Sequence, residues 1–135
     1  MKVKLQAATR LIAARQADAG VLLQQLKPIF GNDYKKILDP YDKSENVQWK
    51  GNGWFAYICL RQGGILTFSF QTTKIFSTQK KKSYIAIAQD FKSWSDPKAY
   101  EAVAQAAAHY MEDGVYYSPP VVQILQKLSH LKPTT

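Results

Sequence analysis

The chain is poor in the residues on which most protein chemistry depends. Its 135 residues include one cysteine, Cys59, and two histidines, His109 and His130. A lone cysteine excludes an intrachain disulfide. Cys59 lies in the apolar run Trp54-Phe55-Ala56-Tyr57-Ile58-Cys59-Leu60, where it reads as a small buried hydrophobe, and such cysteine usage suits a reducing compartment. No CxxC, HxxxH or HExxH occurs, which excludes a zinc site of the usual spacing, and no metal or other cofactor is expected. The glycine clusters Gly51-Asn52-Gly53 and Gly63-Gly64 are too short for a phosphate loop, and each precedes a strand rather than a helix. No GxSxG is present. Acids number ten against eighteen Lys and Arg. Candidate acid pairs are sparse: Asp39 with Asp42 in a polar loop and Glu112 with Asp113 near a helix end. No catalytic residue is assigned, and a non-enzymatic protein is expected.

Long apolar runs are also missing. No stretch approaches the roughly 20 residues that a membrane span requires. Arg10 and Arg15 interrupt any secretory h-region. Lys2 stands where myristoylation needs glycine, and no cysteine box closes the chain. The expected location is the cytoplasm, or the virion or host cytoplasm if the chain is phage-encoded.

What is present describes one ordinary domain. The length falls within the usual range of about 100–150 residues, and 46% hydrophobic with 21% charged residues is close to the globular average. Aromatics at 13% argue against disorder. The net charge of +8 is unevenly spread. Residues 1–36 carry seven Lys/Arg and two acids (+5), residues 37–95 eight and four (+4), and residues 96–135 three and four (−1).

Residues 4–27 carry Leu5, Ala8, Ile12, Ala19, Leu22 and Leu26 on one helical face, and Pro28 is expected to end that helix at Lys27. Residues 30–45 read as a connector, with one helical turn around Tyr34, Ile37 and Leu38. Four strands follow, at about 46–50, 54–61, 65–76 and 82–91. Gly51-Asn52, together with Gly53, makes a tight hairpin, and Gly63-Gly64 makes the next turn. Leu66, Phe68 and Phe70 alternate with Thr67, Ser69 and Gln71, the signature of one buried and one wet face. Asp96 as cap and Pro97 at the first position open a helix over 96–112 that Gly114 ends. Ser118-Pro119-Pro120 opens a last helix over 119–131. The expected fold is therefore a single α+β domain over residues 1–135, with 1–3 and 132–135 frayed. It has an N-terminal helix, a four-stranded antiparallel meander and two C-terminal helices, with one sheet face covered and the other carrying Thr67, Ser69 and Gln71.

The remaining signal is basic and aromatic. Lys50 ends the first strand, Lys74 lies late in the third, and Lys80-Lys81-Lys82 opens the fourth. A meander brings these five lysines to one end of the sheet, beside the hairpin flanked by Trp49 and Trp54, and leaves Arg61 at the other end. Lysines take phosphates and rings stack on bases, so this surface points to nucleic acid, with single strands favoured. Lys2, Lys4, Arg10 and Arg15 form a second basic stripe, read as the solvated face of the first helix. Two other functions fit the same residues. One is an assembly or interaction module, such as a phage or bacterial accessory, structural or inhibitor protein, using Tyr116-Tyr117-Ser118-Pro119-Pro120 for a protein partner or for self-association. The other is a small-ligand or enzymatic pocket between sheet and helices, using tyrosines and Asp90 or Glu101.

Overall fold

Among the described residues, every strand pairs with its neighbour in sequence. In the computed structural model, which describes residues 20–41, 44–61, 64–72, 85–93, 95–112 and 117–133, five strands lie in the order β1-β2-β3-β4-β5, every pair antiparallel. They are β1 (Lys35–Leu38), β2 (Glu45–Gly51), β3 (Trp54–Leu60), β4 (Leu66–Thr72) and β5 (Ala86–Phe91). Helical residues 20–30, here α1, precede the sheet. The helices α2 (Pro97–Glu112) and α3 (Pro119–Leu128) follow it. The α+β class and the meander agree with the expectation. The expected stretches 4–19, 73–84, Gly114 and Tyr116 lie outside the described residues.

The sheet has one strand more than the sequence suggests. Lys35–Leu38 is not a helical turn but an edge strand, paired with β2 from Lys35↔Gln48 to Leu38↔Glu45. Its four residues place two lysines before two apolar residues, so no period-2 pattern marks it. Pairing with β2 decides its conformation, as is common for short edges. The reading of the first helix also needs correction at its end. The helix does not stop at Lys27 but runs through Pro28 to Phe30. Gly31, at φ 101°, closes it by donating its N–H to the Lys27 carbonyl at 2.7 Å.

Phe30 is the reason for that extension. Its ring packs against Trp49, Trp54, Phe68 and Phe70, with centroids 5.3, 5.5, 5.9 and 5.9 Å away. This contact with three strands outweighs the local preference against a helix around Pro28. The Trp49 indole N–H donates to the Gly31 carbonyl at 3.0 Å and fastens the helix end to β2.

The register sorts the side chains onto two faces. Val47, Trp49, Trp54, Ala56, Ile58, Leu60, Leu66, Phe68, Phe70, Ile87 and Phe91 share the inner face, and all are buried. Against them pack Leu22, Leu23 and Leu26 of α1, Ala99, Tyr100, Val103 and Ala107 of α2, and Val121, Ile124, Leu125 and Leu128 of α3. Asp96 caps α2 as expected, its Oδ1 accepting from the Lys98 N–H at 3.1 Å. The last helix is shorter than expected: it ends at Leu128, though Leu131 still reaches the core. Tyr100 links the layers. Its ring meets Phe91 edge-on at 5.0 Å, and its hydroxyl accepts from Gln25 Nε2 of α1 at 2.8 Å.

Truncating Phe30 to Ala should lower the unfolding free energy by about 2–4 kcal/mol, the range for losing a large core side chain that is not wholly enclosed. A urea titration followed by tryptophan fluorescence checks this through the midpoint at unchanged slope. Burial raises the pKa of the Tyr100 phenol above 10.0, partly countered by the Gln25 hydrogen bond. A raised folded-state pKa gives stability that is complete below the unfolded value and is lost as pH climbs through the folded one. Stability should therefore fall above about pH 10, and Tyr100→Phe should flatten that part of the profile.

Candidate functional site

The hairpin between β2 and β3 sets which residues face outward. Asn52 and Gly53 form its two-residue loop, Gly53 at φ 85°, and Gly51 pairs with Trp54. Gly51 is still part of the strand, and the loop lies one residue later than Gly51-Asn52. That parity turns Trp54, Ala56, Ile58 and Leu60 inward and Phe55, Tyr57 and Cys59 outward.

The outer face is built from cross-strand rows. Nearest the hairpin, Lys50, Phe55, Gln71 and Ala86 lie side by side on β2 to β5. The next row is Lys35, Gln48, Tyr57, Ser69 and Ala88, across all five strands. The third is Ile37, Asn46, Cys59, Thr67 and Asp90. Arg61 follows β3 at the far end. Thr67, Ser69 and Gln71 occupy the outer face as the alternation in β4 requires, but that face is not wet along β4 as expected: Gln71 is exposed, whereas Thr67 and Ser69 are 8% and 2% exposed. Among the described residues, the three helices contribute their buried side chains to the opposite, inner core.

On this outer face two aromatic rings stand together. Phe55 and Tyr57, two residues apart on β3, have centroids 5.8 Å apart and planes tilted by 45°, and both are half-buried. They line a shallow depression of about 490 Å³ with Asn46, Gln48, Cys59 and Arg61, and with Asp39 and Ser44 at one side. Cys59 is buried at its floor and free. The pKa of the exposed Arg61 guanidinium is raised, chiefly by its hydrogen bond and charge interaction with Cys59, with Asp90 and Tyr57 adding to the effect. Asp90 accepts from the Thr67 hydroxyl at 2.7 Å, and Gln71 Nε2 donates to Ser69 Oγ at 3.3 Å. The amides of Asn46 and Gln48 have no hydrogen-bond partner among the described residues.

The sequence-derived contacts divide sharply. Lys50 is exposed on the outer face, directly opposite Phe55. Trp49 and Trp54 are not on that face. They point inward, 1% and 9% exposed, and pack on Phe30. Their rings are committed to the core, because the register that buries Val47 also buries them. Lys74, Lys80, Lys81 and Lys82, like Lys2, Lys4, Arg10 and Arg15, lie outside the described residues. β4 ends at Thr72 and β5 begins at Ala86, both at the hairpin end of the sheet that holds Lys50. Phe55 and Tyr57 are the site residues that sequence reasoning missed. The signal for them was the hairpin itself: once Trp49 is inward, a two-residue loop forces positions 55 and 57 outward.

Residues invoked for the other two functions are dispersed. Tyr117 is half-buried against the core, whereas Pro119 and Pro120 are exposed. Asp90 lies on the outer sheet face and Glu101 on the exposed side of α2, where Gln105 Nε2 donates to it at 3.0 Å. A cleft of about 140 Å³ between α1 and the inner face of β1 to β3 is lined by Gly20, Leu23, Val47, Ile58 and Leu60, with Lys36 and Glu45 paired at 3.4 Å. Among the described residues, no tyrosine, Asp90 or Glu101 lines it. Among the described residues, no three His, Cys, Asp or Glu side chains gather as metal ligands, and no helix is long and apolar enough to cross a membrane. Comparisons with protein-family models, with curated proteins and with solved structures found no match.

The site depends on the hairpin keeping its register. A Cβ at Gly51 would fall on the Trp54 indole. Gly51→Ala should therefore cost about 1–3 kcal/mol through overpacking, read as a lower unfolding midpoint.

Proposed function

We propose that this protein binds single-stranded nucleic acid on the outer face of its sheet. The observation that carries the reading is the Phe55–Tyr57 pair, two rings side by side on a face to which, among the described residues, the helices contribute no core side chain. Stacking on bases needs an aromatic face open to solvent, beside cations that can meet the phosphates. Lys50 lies beside Phe55, Lys35 lies in the row of Tyr57, and Arg61 stands at the other end of the track. An overall charge of +8 adds long-range attraction to a polyanion. Rings carried on a sheet face suit an unpaired strand whose bases are free to turn onto them, rather than a duplex whose bases are already stacked. Lys74 and Lys80 to Lys82 belong to the same proposal, as cations borne by the chain between β4 and β5.

Fluorescence anisotropy of labelled single-stranded and duplex oligonucleotides tests it. Single strands should bind more tightly than duplex, with an affinity that falls as salt rises. Phe55→Ala and Tyr57→Ala should each weaken binding by about 1–3 kcal/mol. Lys50→Ala should weaken it and also reduce the salt slope by about one. Absence of binding at low salt would remove this reading.

A further inference from the structure

Resting on that reading, we infer that the outer face selects adenine, with Tyr57 stacking the base and Gln48 reading its edge. Gln48 and Tyr57 are direct cross-strand partners. Partners of this kind stand close enough for a group lying on one to be touched by the other. A base resting on the Tyr57 ring therefore presents its β2-side edge to the Gln48 carboxamide. That carboxamide has no hydrogen-bond partner among the described residues, so it is free to take one. The β4 side offers no equal competitor: Ser69 is 2% exposed, and its hydroxyl already receives Gln71 Nε2.

The chemistry of the amide selects the base. A carboxamide sets one acceptor beside one donor. Adenine matches both along its N6–N7 edge, giving two parallel hydrogen bonds. Guanine presents two acceptors at the corresponding edge and leaves the amide oxygen unmatched. A purine also covers more of the Tyr57 ring than a pyrimidine does, which adds to adenine's advantage over cytosine and thymine. Phe55 has Lys50 and Gln71 as its row neighbours. Lys50 ends in a cation suited to phosphate, so the reading is centred on Tyr57.

The test measures anisotropy with short single strands of deoxyadenosine, deoxycytidine and thymidine, at one salt concentration, on the full chain. The adenine strand should bind at least about fivefold more tightly than the other two. Gln48→Ala should remove most of that preference, leaving only the part that purine stacking on Tyr57 supplies, while leaving the affinities of the other two in place. Gln48→Glu, which keeps the length but loses the donor to N7, should do the same and serves if the alanine variant folds poorly. Asn46→Ala, one row away, should retain the preference. Equal binding of all three strands, or a preference undiminished in both Gln48 variants, overturns the adenine assignment and leaves the stacking face intact. No binding of any strand overturns the stacking face as well.

Discussion

The C-terminal end of α1 is the point at which the whole fold is fastened. Phe30 drops from that end into the aromatic floor made by β2, β3 and β4. The Gly31 carbonyl takes the Trp49 indole N–H. One turn earlier Gln25 reaches the Tyr100 hydroxyl on α2, and the Pro28 carbonyl accepts from Lys127 Nζ of α3 at 3.4 Å. Each helix of the covering layer therefore touches the same few residues. A carbonyl at a helix C-terminus lacks an intrahelical partner, so a lysine ammonium is well placed there. Inward commitment of both tryptophans follows from this arrangement, and through the strand register it dictates outward placement of Phe55 and Tyr57.

That coupling explains how the two faces differ in character. The inner face is apolar almost throughout because three helices lie on it. The outer face varies from strand to strand: lysine and carboxamides on β1 and β2, rings on β3, hydroxyls on β4, alanines with Asp90 on β5. Tall side chains stand mid-sheet and short ones flank them on the β5 side. A ligand lying along β3 would thus meet rings beneath it and polar, partly cationic groups towards β2, with less to hold it towards β5.

Much of this was legible in the chain. The alternation Leu66-Thr67-Phe68-Ser69-Phe70 placed β4 and its faces, and Asp96-Pro97 located the start of α2, because each signal is local and each was reinforced by packing. Three features were not legible, for identifiable reasons. β1 has four residues and no alternation, so only its partner strand reveals it. The end of α1 was hidden by Pro28, whose local preference is overridden by the contacts of Phe30, residues distant in sequence. The run 54–60 is apolar on both faces, which conceals its period. The tryptophans drew attention as exposed binders although the hairpin register makes them core, and the same register would have named the rings that are exposed.

The brevity of β1 bears on what its open edge offers to a second copy of the chain. A meander leaves an unpaired ladder of N–H and C=O groups along its first strand, which a second copy could extend into a continuous sheet. Here the ladder is only four residues long and opens with Lys35 and Lys36. A strand added to this edge would have to bring both lysine side chains out of water, a cost that works against sheet growth along β1.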